Sequence, residues 1–502
     1  MSSSSTAQYL LPVLVALPLG GAFLIQLLKN ISKSISDVIA NSVLAVLVAL
    51  VFTLLNSPVL VYKVGGWMPV EGIPVGIYLV LDGLSVLLLI IINTIGLISL
   101  IFSISYMEKF TNKPLYHTLF LLMVAGMNGV VLGGDLFNIY VFLEVASIAT
   151  YSLVAFGTEA DELEAAFKYQ VMGTVASALI LLGIIIIYSV TGTLNLADIG
   201  LVLKDKAAGA PLILSGILFL VGFGLKGAMM PFHAWLPDAH PSAPAPISAM
   251  LSGVLIKAIG IYALVRIMFN VIGVTPIFSN VMLCIAAISM TAGVFLAFAQ
   301  WDFKRLLAYH SISQMGYVML GIWLMTPLGI LGGLFHMLNH SVFKSLLFLN
   351  SGAVVYGAGS RQLKSLGGLN QRMPVTGRTS LVASMSIAGL PPFNGFWSKL
   401  IIIMACIQAH RYFLAGLAIL VSIMTLVSFL KVQRYAFFGE LKGALKEVKE
   451  VPFAMCFSMI VLAILCTVMG ALLLPGVRGL FIDPAVNALL NGREYIFLVL
   501  SG

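Results

Sequence analysis

Charged residues are scarce in this sequence of 502 residues, in which only 9% are Asp, Glu, Lys or Arg and 60% are hydrophobic. Such a composition cannot cover a water-exposed surface, so a soluble protein is excluded. The apolar runs are long enough for helices that cross a membrane, which also excludes a barrel of short alternating strands. We therefore predict an all-α polytopic membrane protein with about fourteen transmembrane spans.

Cysteines and cofactor motifs are also scarce. Four cysteines, at positions 284, 406, 456 and 466, lie in apolar runs without paired spacing, so neither a disulfide framework nor a zinc or iron–sulfur site is expected. The sequence contains no nucleotide loop or quinone motif that we can identify. We expect no cofactor, no bound metal and no catalytic site on this chain, so that any redox chemistry belongs to partner subunits.

The net charge of +8 does not indicate nucleic-acid binding, because the basic residues collect in loops on one side of the predicted bundle. Loops rich in Lys and Arg remain in the cytoplasm. We therefore expect a multi-pass protein of the cell membrane. An even number of spans then places both termini outside.

Three charged residues lie inside apolar runs that cross the membrane: Glu144, Lys226 and Lys257. A charge at that depth costs roughly 2.5–3.5 kcal/mol on insertion scales, so it normally has a function. For Glu144, the alternative is a carboxylate paired only to hold two helices together. Lys226 directly precedes the proline-rich stretch MMPFHAWLPDAHPSAPAP, which no continuous helix can contain. Broken helices beside buried charges are typical of ion paths in transporters.

Further ionisable residues lie near this break or on later spans. His233 and Asp238 lie within the break, and Lys168 begins span six, where it could be an interfacial anchor or an ion relay. We predict that these three residues and His310 form a secondary relay. The histidines of the break lack the spacing of a zinc-binding helix. His310 belongs to a polar cluster on span ten, which could provide hydrogen bonds between helices or part of a proton wire.

Span eleven has the clearest periodic signal, because His336, His340 and Lys344 are spaced i, i+4 and i+8. All three share one face of the helix, and such a polar stripe must face the bundle interior or water. Histidine suits a proton relay because it titrates near neutral pH. Two histidines could instead ligate a metal, but the sequence shows no third ligand nearby.

Span twelve resembles span seven, because the stretch GLPPFNG interrupts it and Lys399 begins its second half. Two broken spans with a lysine at each break indicate an internal repeat. We divide the chain into residues 1–110 (three spans and an external β-hairpin at 59–80), 111–270 (first repeat, spans four to eight), 271–435 (second repeat, spans nine to thirteen) and 436–502 (span fourteen and a tail).

Three motifs carry a family resemblance: HAWLPDAHPSAPAPISA at 233–249, QWDFKRLLAYHSISQMGY at 300–317 and GLPPFNGFWSK at 389–399. Together they resemble the antiporter-like subunits of respiratory complex I, membrane-bound hydrogenases and Mrp-type Na+/H+ antiporters, with the hydrogenase H-subunit and Mrp D-subunit branch the most similar. The resemblance implies about fourteen spans, two inverted five-helix repeats broken at spans seven and twelve, and ion transfer along a hydrated axis at mid-membrane.

The resemblance also implies a role for each buried ionisable group. Glu144 and Lys226 would form a switchable pair, with an attraction of roughly 4 kcal/mol at about 4 Å and an effective dielectric constant near 20. The proton would pass Lys257 and the polar face of span eleven to reach Lys399.

We therefore predict a subunit that moves protons, or couples protons to Na+, in a hetero-oligomeric redox-driven complex with iron–sulfur or hydrogenase-like partners. One alternative is a subunit of an Mrp-type antiporter that has no redox partner. Another is a structural membrane scaffold, in which the buried charges only hold helices together.

Overall fold

The fold is described from a computed structural model, which covers residues 7–32, 34–67, 69–70, 72–110, 112–204, 209–492 and 494–501. Residues 1–6 and 502, at the chain ends, are not among the described residues, so the expected location of the termini is not described. Met68 and Glu71 of the expected hairpin are likewise not among them. Within the described ranges, ten helices are long and apolar enough to cross a membrane. The expectation of a mostly helical, multi-pass membrane protein is therefore confirmed.

Twenty helical segments follow one another along the described part of the chain. Their bounds are α1 Val13–Leu28, α2 Ile35–Thr53, α3 Gly83–Tyr106, α4 Lys113–Leu132, α5 Leu136–Val154, α6 Ala160–Thr191, α7 Leu196–Leu203, α8 Ala210–Lys226, α9 Leu236–Ser242, α10 Ala245–Ile272, α11 Pro276–Phe298, α12 Phe303–Trp323, α13 Pro327–Ala358, α14 Pro374–Ala388, α15 Asn394–Gln408, α16 Tyr412–Val432, α17 Phe453–Val468, α18 Pro475–Phe481, α19 Asp483–Leu490 and α20 Glu494–Ser501. Several further 3-10 turns connect them.

Two short strands precede α3, in the segment for which a hairpin is expected. Strand β1 (Leu60–Lys63) pairs antiparallel with β2 (Tyr78–Leu81), and Leu60 lies opposite Leu81. The four residues of β2 are all buried, so the hairpin packs against the helices at this end of the bundle.

Two helices are interrupted where proline is frequent. Helix α8 ends at Lys226, and α9 begins only at Leu236, because the intervening Pro231 cannot donate a helical hydrogen bond. Helix α14 ends at Ala388, after which Gly389 adopts φ 82°, a left-handed conformation that glycine accepts readily. Helix α15 then resumes beyond two further prolines.

Helix α13 forms the centre of the bundle, since every residue from Gly329 to Val354 is buried. A helix that is covered on all sides belongs to the core of a large protein. Glycines allow its neighbours to approach closely. A Cβ atom at Gly321 of α12 would lie 2.6 Å from the backbone nitrogen of Gly333 on α13, so a larger residue there would force the two helices apart.

Candidate functional site

Glu144 of α5 and Lys226 of α8 form an ion pair, with 3.4 Å between Lys226 Nζ and Glu144 Oε1. The same ammonium group donates to Ser147 Oγ at 2.8 Å and to Tyr151 Oη at 3.3 Å. Ser177 of α6 donates a hydrogen bond to the Glu144 carboxylate. Lys226 therefore has uncharged hydrogen-bond partners in addition to the carboxylate.

The two members of this pair differ in exposure. The Lys226 side chain is 1% exposed, whereas that of Glu144 is 28% exposed. Val141 and Ile148, on the same helix as Glu144, are exposed apolar residues. The carboxylate therefore reaches the lateral surface of the bundle while the ammonium group stays inside it.

Lys257 is fully buried on a π-helical stretch of α10, Leu251–Tyr262. Its ammonium group donates to the backbone oxygens of Ser252, at 2.9 Å, and of Gly253. Insertions of π-helix are rare and frequently mark functional sites. The α8 terminus packs directly on α10, because a Cβ atom at Gly260 would lie 2.5 Å from the Cα of Gly227. Lys226 and Lys257 thus lie on neighbouring helices in direct contact.

The polar face of α13 is entirely buried. His336 is held from both sides, with Nδ1 2.9 Å from Ser398 Oγ and Nε2 3.2 Å from Gln314 Oε1. Neither ring nitrogen of His340, nor the ammonium group of Lys344, has a hydrogen-bond partner among the described residues. Buried polar groups in native proteins are almost always satisfied by protein or by ordered water, so on this face of α13 the side chains of His340 and Lys344 call for ordered water.

These groups lie together at the centre of the bundle. Gly253, whose oxygen accepts from Lys257, packs so closely against Ser345 of α13 that a Cβ atom there would clash. His336 contacts Ser398, the residue before Lys399 on α15. We call the five residues Lys257, His336, His340, Lys344 and Lys399 the central row. The residues named by the sequence pattern are thus brought together, although they come from α10, α13 and α15.

Lys399 lies at the second helix break. Its ammonium group donates to the backbone oxygen of Ile387, at 2.8 Å, and to Ser422 Oγ, at 3.2 Å. Carbonyl groups in the last turn of a helix lack partners within that helix, which makes Ile387 available. The ammonium group also lies 4.8 Å from the ring centre of Tyr317. Lys399 lines a cavity of about 240 Å³ together with Gly389, Phe396 and Ser422.

The polar cluster of span ten makes hydrogen bonds to several different helices. His310 Nε2 lies 2.8 Å from Ser428 Oγ of α16, and Ser311 Oγ lies 2.7 Å from Ser252 Oγ of α10. Ser313 donates to the backbone of α11. These side chains therefore connect helix α12 to its neighbours by hydrogen bonds.

Lys168, His233 and Asp238 lie at the surface and not in the central row. Lys168 Nζ is 3.3 Å from Asp238 Oδ2, and Arg305 is 3.5 Å from the other oxygen of the same carboxylate. Lys168, Asp238 and Arg305 line a surface pocket of about 750 Å³. His233 is only partly buried, with Nδ1 3.3 Å from the backbone oxygen of Pro231.

His240 was not selected from the sequence, yet it lies beside the central row. It is fully buried and stacks on Phe348 of α13, with 4.6 Å between ring centres. Lys344 Nζ lies 5.6 Å from the centre of the same Phe348 ring. The motif HAWLPDAHP, which contains His240, is the sequence signal that could have identified it. Ser147 and Tyr151 were also missed, although their i+3 and i+7 spacing from Glu144 places them on the same helix face.

A second buried ion pair joins Asp82 and Arg266. Both terminal nitrogens of Arg266 contact the Asp82 carboxylate at 2.6 Å. Asp82 also caps α3 by accepting from the backbone N–H of Ser85. The ring of Tyr495 in α20 lies 5.1 Å from the guanidinium carbon. This pair connects α3, α10 and the C-terminal helices.

Comparisons with known proteins agree with this architecture. The family described as NADH:quinone oxidoreductase/Mrp antiporter, TM, matches residues 133–425, and the one described as NADH-Ubiquinone oxidoreductase (complex I), chain 5 N-terminus, matches residues 67–117.

Individual relatives cover nearly the whole chain. The D subunit of the Na(+)/H(+) antiporter from Alkalihalophilus pseudofirmus is 35% identical over 86% of this chain and 87% of its own length. The N subunit of the NADH-quinone oxidoreductase from Desulforudis audaxviator is 35% identical over 92% of this chain and 95% of its own. A chain of the membrane-bound sulfane sulfur reductase, an archaeal respiratory membrane complex, superimposes with a TM-score of 0.89 at 29% identity, covering 98% of this chain and 99% of that one.

These comparisons confirm the resemblance inferred from the three motifs. The antiporter D subunit and the NADH-quinone oxidoreductase N subunit have the same sequence identity to this chain, 35%. The chain therefore belongs to the NADH:quinone oxidoreductase/Mrp antiporter transmembrane family.

Proposed function

We propose that this chain is a proton-translocating, antiporter-like subunit of a multisubunit membrane complex. The observation that carries the proposal is the central row, in which buried lysines and histidines follow one another between core helices. Buried ionisable groups inside a membrane bundle are costly and mark ion or proton paths. A protein that only needed stable packing would use apolar side chains at these positions, since they cost nothing to bury.

The path would begin at Glu144 and Lys226 and end at Lys399. When the carboxylate stays close, it stabilises the charged form of Lys226. When it moves away, Ser147 and Tyr151 remain as hydrogen-bond partners, and the lysine can release its proton toward Lys257. Neighbouring helix axes are about 8–10 Å apart, so water must bridge these steps.

From Lys257 the proton would pass along the polar face of α13. Water would carry the proton at His340 and Lys344, because neither side chain forms a hydrogen bond to protein within the described residues. His336, held between Gln314 and Ser398, would pass the proton on to Lys399. The cavity beside Lys399 would then provide the exit.

The surface residues would have a secondary role. We assign Lys168, His233 and Asp238 to collecting protons at the mouth of the path, where charged groups raise the local concentration of ions. His310 would hold α12 against α16 and supply a titratable group near the row.

The arrangement supports the finer topology as well. Ten apolar helices in the described part of the chain are long enough to cross the membrane. Four more spans would be the shorter α8, the polar helices α12 and α13, and the interrupted pair α14 and α15 counted as one, which gives fourteen. The repeats would be residues 111–270 and 271–435, each containing one broken helix and its lysine. With the basic loops in the cytoplasm, both termini would lie outside the cell membrane.

A redox-driven complex is the first candidate, because a chain of an archaeal respiratory membrane complex superimposes over nearly the whole length with a TM-score of 0.89. A chain of the Mrp complex from Dietzia sp. DQ12-45-1b superimposes with a TM-score of 0.87. A member of an Mrp-type Na+/H+ antiporter assembly is the second candidate, favoured by the 35% identity to an antiporter protein. In either case the remaining partners would be other membrane subunits, with H+ and, in the second case, Na+ as transported ions.

Mass spectrometry of the complex purified with this chain in mild detergent distinguishes the two candidates. Co-purifying iron–sulfur or hydrogenase-like subunits would establish the redox-driven complex. Small membrane subunits alone would establish the Mrp-type assembly. Recovery of the isolated chain from native membranes would contradict both.

A further inference from the structure

An apolar groove lies between α2, α3, α13 and α17, on the side of α13 away from Lys399. Its volume is about 300 Å³, and Phe52, Leu87, Ile91, Leu338, Val342 and Val468 contribute to its lining. That volume is at the lower end of the range for small-molecule sites, roughly 300–1,000 Å³. Val477 and Phe481 of α18 also line the groove, so this short helix lies at its edge.

The groove extends over the depth of one bilayer leaflet. Along α3 it runs from Leu87 to Ile95, and the eight helical steps between these residues cover about 12 Å. Half of the hydrocarbon core of a bilayer is roughly 15 Å thick. Leu87 lies one turn from the start of α3, at the end of the bundle that carries the hairpin. The groove therefore reaches from the membrane edge on that side toward the bilayer centre.

The groove is continuous with the surface that faces lipid. Phe52 and Val468 in its walls are exposed, as are Ile460 and Ile464 further along α17. A neighbouring helix with its side chains is about 10–12 Å wide, which is too wide for a groove of this volume. A single hydrocarbon chain is narrow enough to enter.

We propose that this groove binds one acyl chain of a membrane phospholipid. Arg478 follows Val477 on α18 and is 40% exposed. Its Nε contacts both carboxylate oxygens of Asp483, at 3.0 and 3.1 Å, and the two side chains line the neighbouring cavity with Leu331 and Asn487, so the guanidinium group lies beside the groove and does not line it. Arginine at a membrane edge is well suited to an anionic headgroup. The headgroup would lie at α18 and the acyl chain in the groove.

The bound chain would support the helix that carries the polar face. Leu338 and Ser341 line the groove, and they alternate along α13 with His336, His340 and Lys344. The lipid would thus fill the back of α13 while the central row occupies its other side. This consequence for transport rests on the proposed function, whereas the binding of the lipid does not.

Native mass spectrometry of the purified complex tests the binding directly. Val468→Trp places a large ring in the groove, and Ile464→Trp makes the same change one turn away on exposed α17 surface. We expect one retained phospholipid per chain in the wild type and in I464W, and its loss in V468W. Equal retention in V468W, loss in both variants, a retained quinone, or no retained phospholipid in the wild type would overturn the proposal.

A labelling experiment on the unmodified complex avoids any effect of the tryptophans on folding. A phospholipid with a photoactivatable diazirine in the middle of one acyl chain is added to the complex in vesicles. We expect labelled peptides that contain Ile95 and Leu338. Labelling restricted to exposed lipid-facing residues such as Ile423 would contradict the groove site. Neither experiment measures ion transport, so a negative result would leave the proposed function untouched.

Discussion

Replacing Glu144 with glutamine should abolish coupled proton translocation while the complex still assembles. Glutamine keeps the shape of the side chain and removes its charge, so the attraction to Lys226 disappears. At the observed 3.4 Å and an effective dielectric constant near 20, that attraction is about 5 kcal/mol. Because Glu144 is partly exposed, we treat this figure as an upper limit.

Loss of this attraction would change the charge state of Lys226 substantially. Each 1.36 kcal/mol alters an equilibrium about tenfold, so even a third of the attraction would shift the charge state of Lys226 by roughly an order of magnitude. Ser147 and Tyr151 still provide hydrogen bonds to the lysine, which should preserve packing and assembly. We therefore expect proton translocation to fall more than about tenfold.

The assay is dye-monitored acidification of vesicles that contain the purified complex, driven by its redox substrate or by a Na+ gradient. Glu447→Gln is the matched control, because Glu447 is an exposed glutamate in the loop between α16 and α17 and lies in neither the ion pair nor the proton-collecting pocket. The control should translocate protons at the wild-type rate. An assembled E144Q complex that also reaches the wild-type rate would refute the role given to the ion pair.

Three further predictions concern other charged groups. Lys399→Met should reduce translocation by roughly tenfold or more with normal assembly in a native gel; wild-type translocation would remove Lys399 from the path. Asp82→Asn leaves the guanidinium of Arg266 buried without its counter-ion, which typically costs about 3–5 kcal/mol, so the midpoint of thermal unfolding in detergent should fall. The double change with Arg266→Gln should recover part of the loss, and a double variant less stable than the single one would contradict this. Asp238→Asn should slow translocation only at low salt, since surface charges are screened at high salt; a loss independent of salt would place Asp238 in the obligatory path.

The buried ionisable positions could be predicted because membrane burial makes charge conspicuous in a sequence. Glu144, Lys226 and Lys257 stand out in apolar runs, and the i, i+4, i+8 spacing of His336, His340 and Lys344 needs only the helical period. The breaks in α8 and α14 likewise follow from the lack of an amide hydrogen in proline. These local rules account for the positions of the broken helices and most of the central row.

What could not be predicted depends on contacts between distant segments. Asp82 and Arg266 are 184 residues apart, so nothing in the local pattern of either indicates the other. Lys168 and Asp238 are predicted members of a secondary relay, and only the fold shows that they pair with each other in a surface pocket. His240 lies in the same proline-rich break as His233, and only the fold shows that one is buried against α13 and the other is near the surface.

The most direct test of proton movement through the central row is proton translocation by a complex that carries Lys344→Met. Lys344 is fully buried and has no hydrogen-bond partner within the described residues, so an apolar side chain of similar length should be neutral for stability or should increase it. We expect a complex that assembles, is at least as stable as the wild type, and no longer translocates protons in vesicles. Wild-type translocation by this variant would contradict the relay and would support a scaffold whose buried charges have no part in transport.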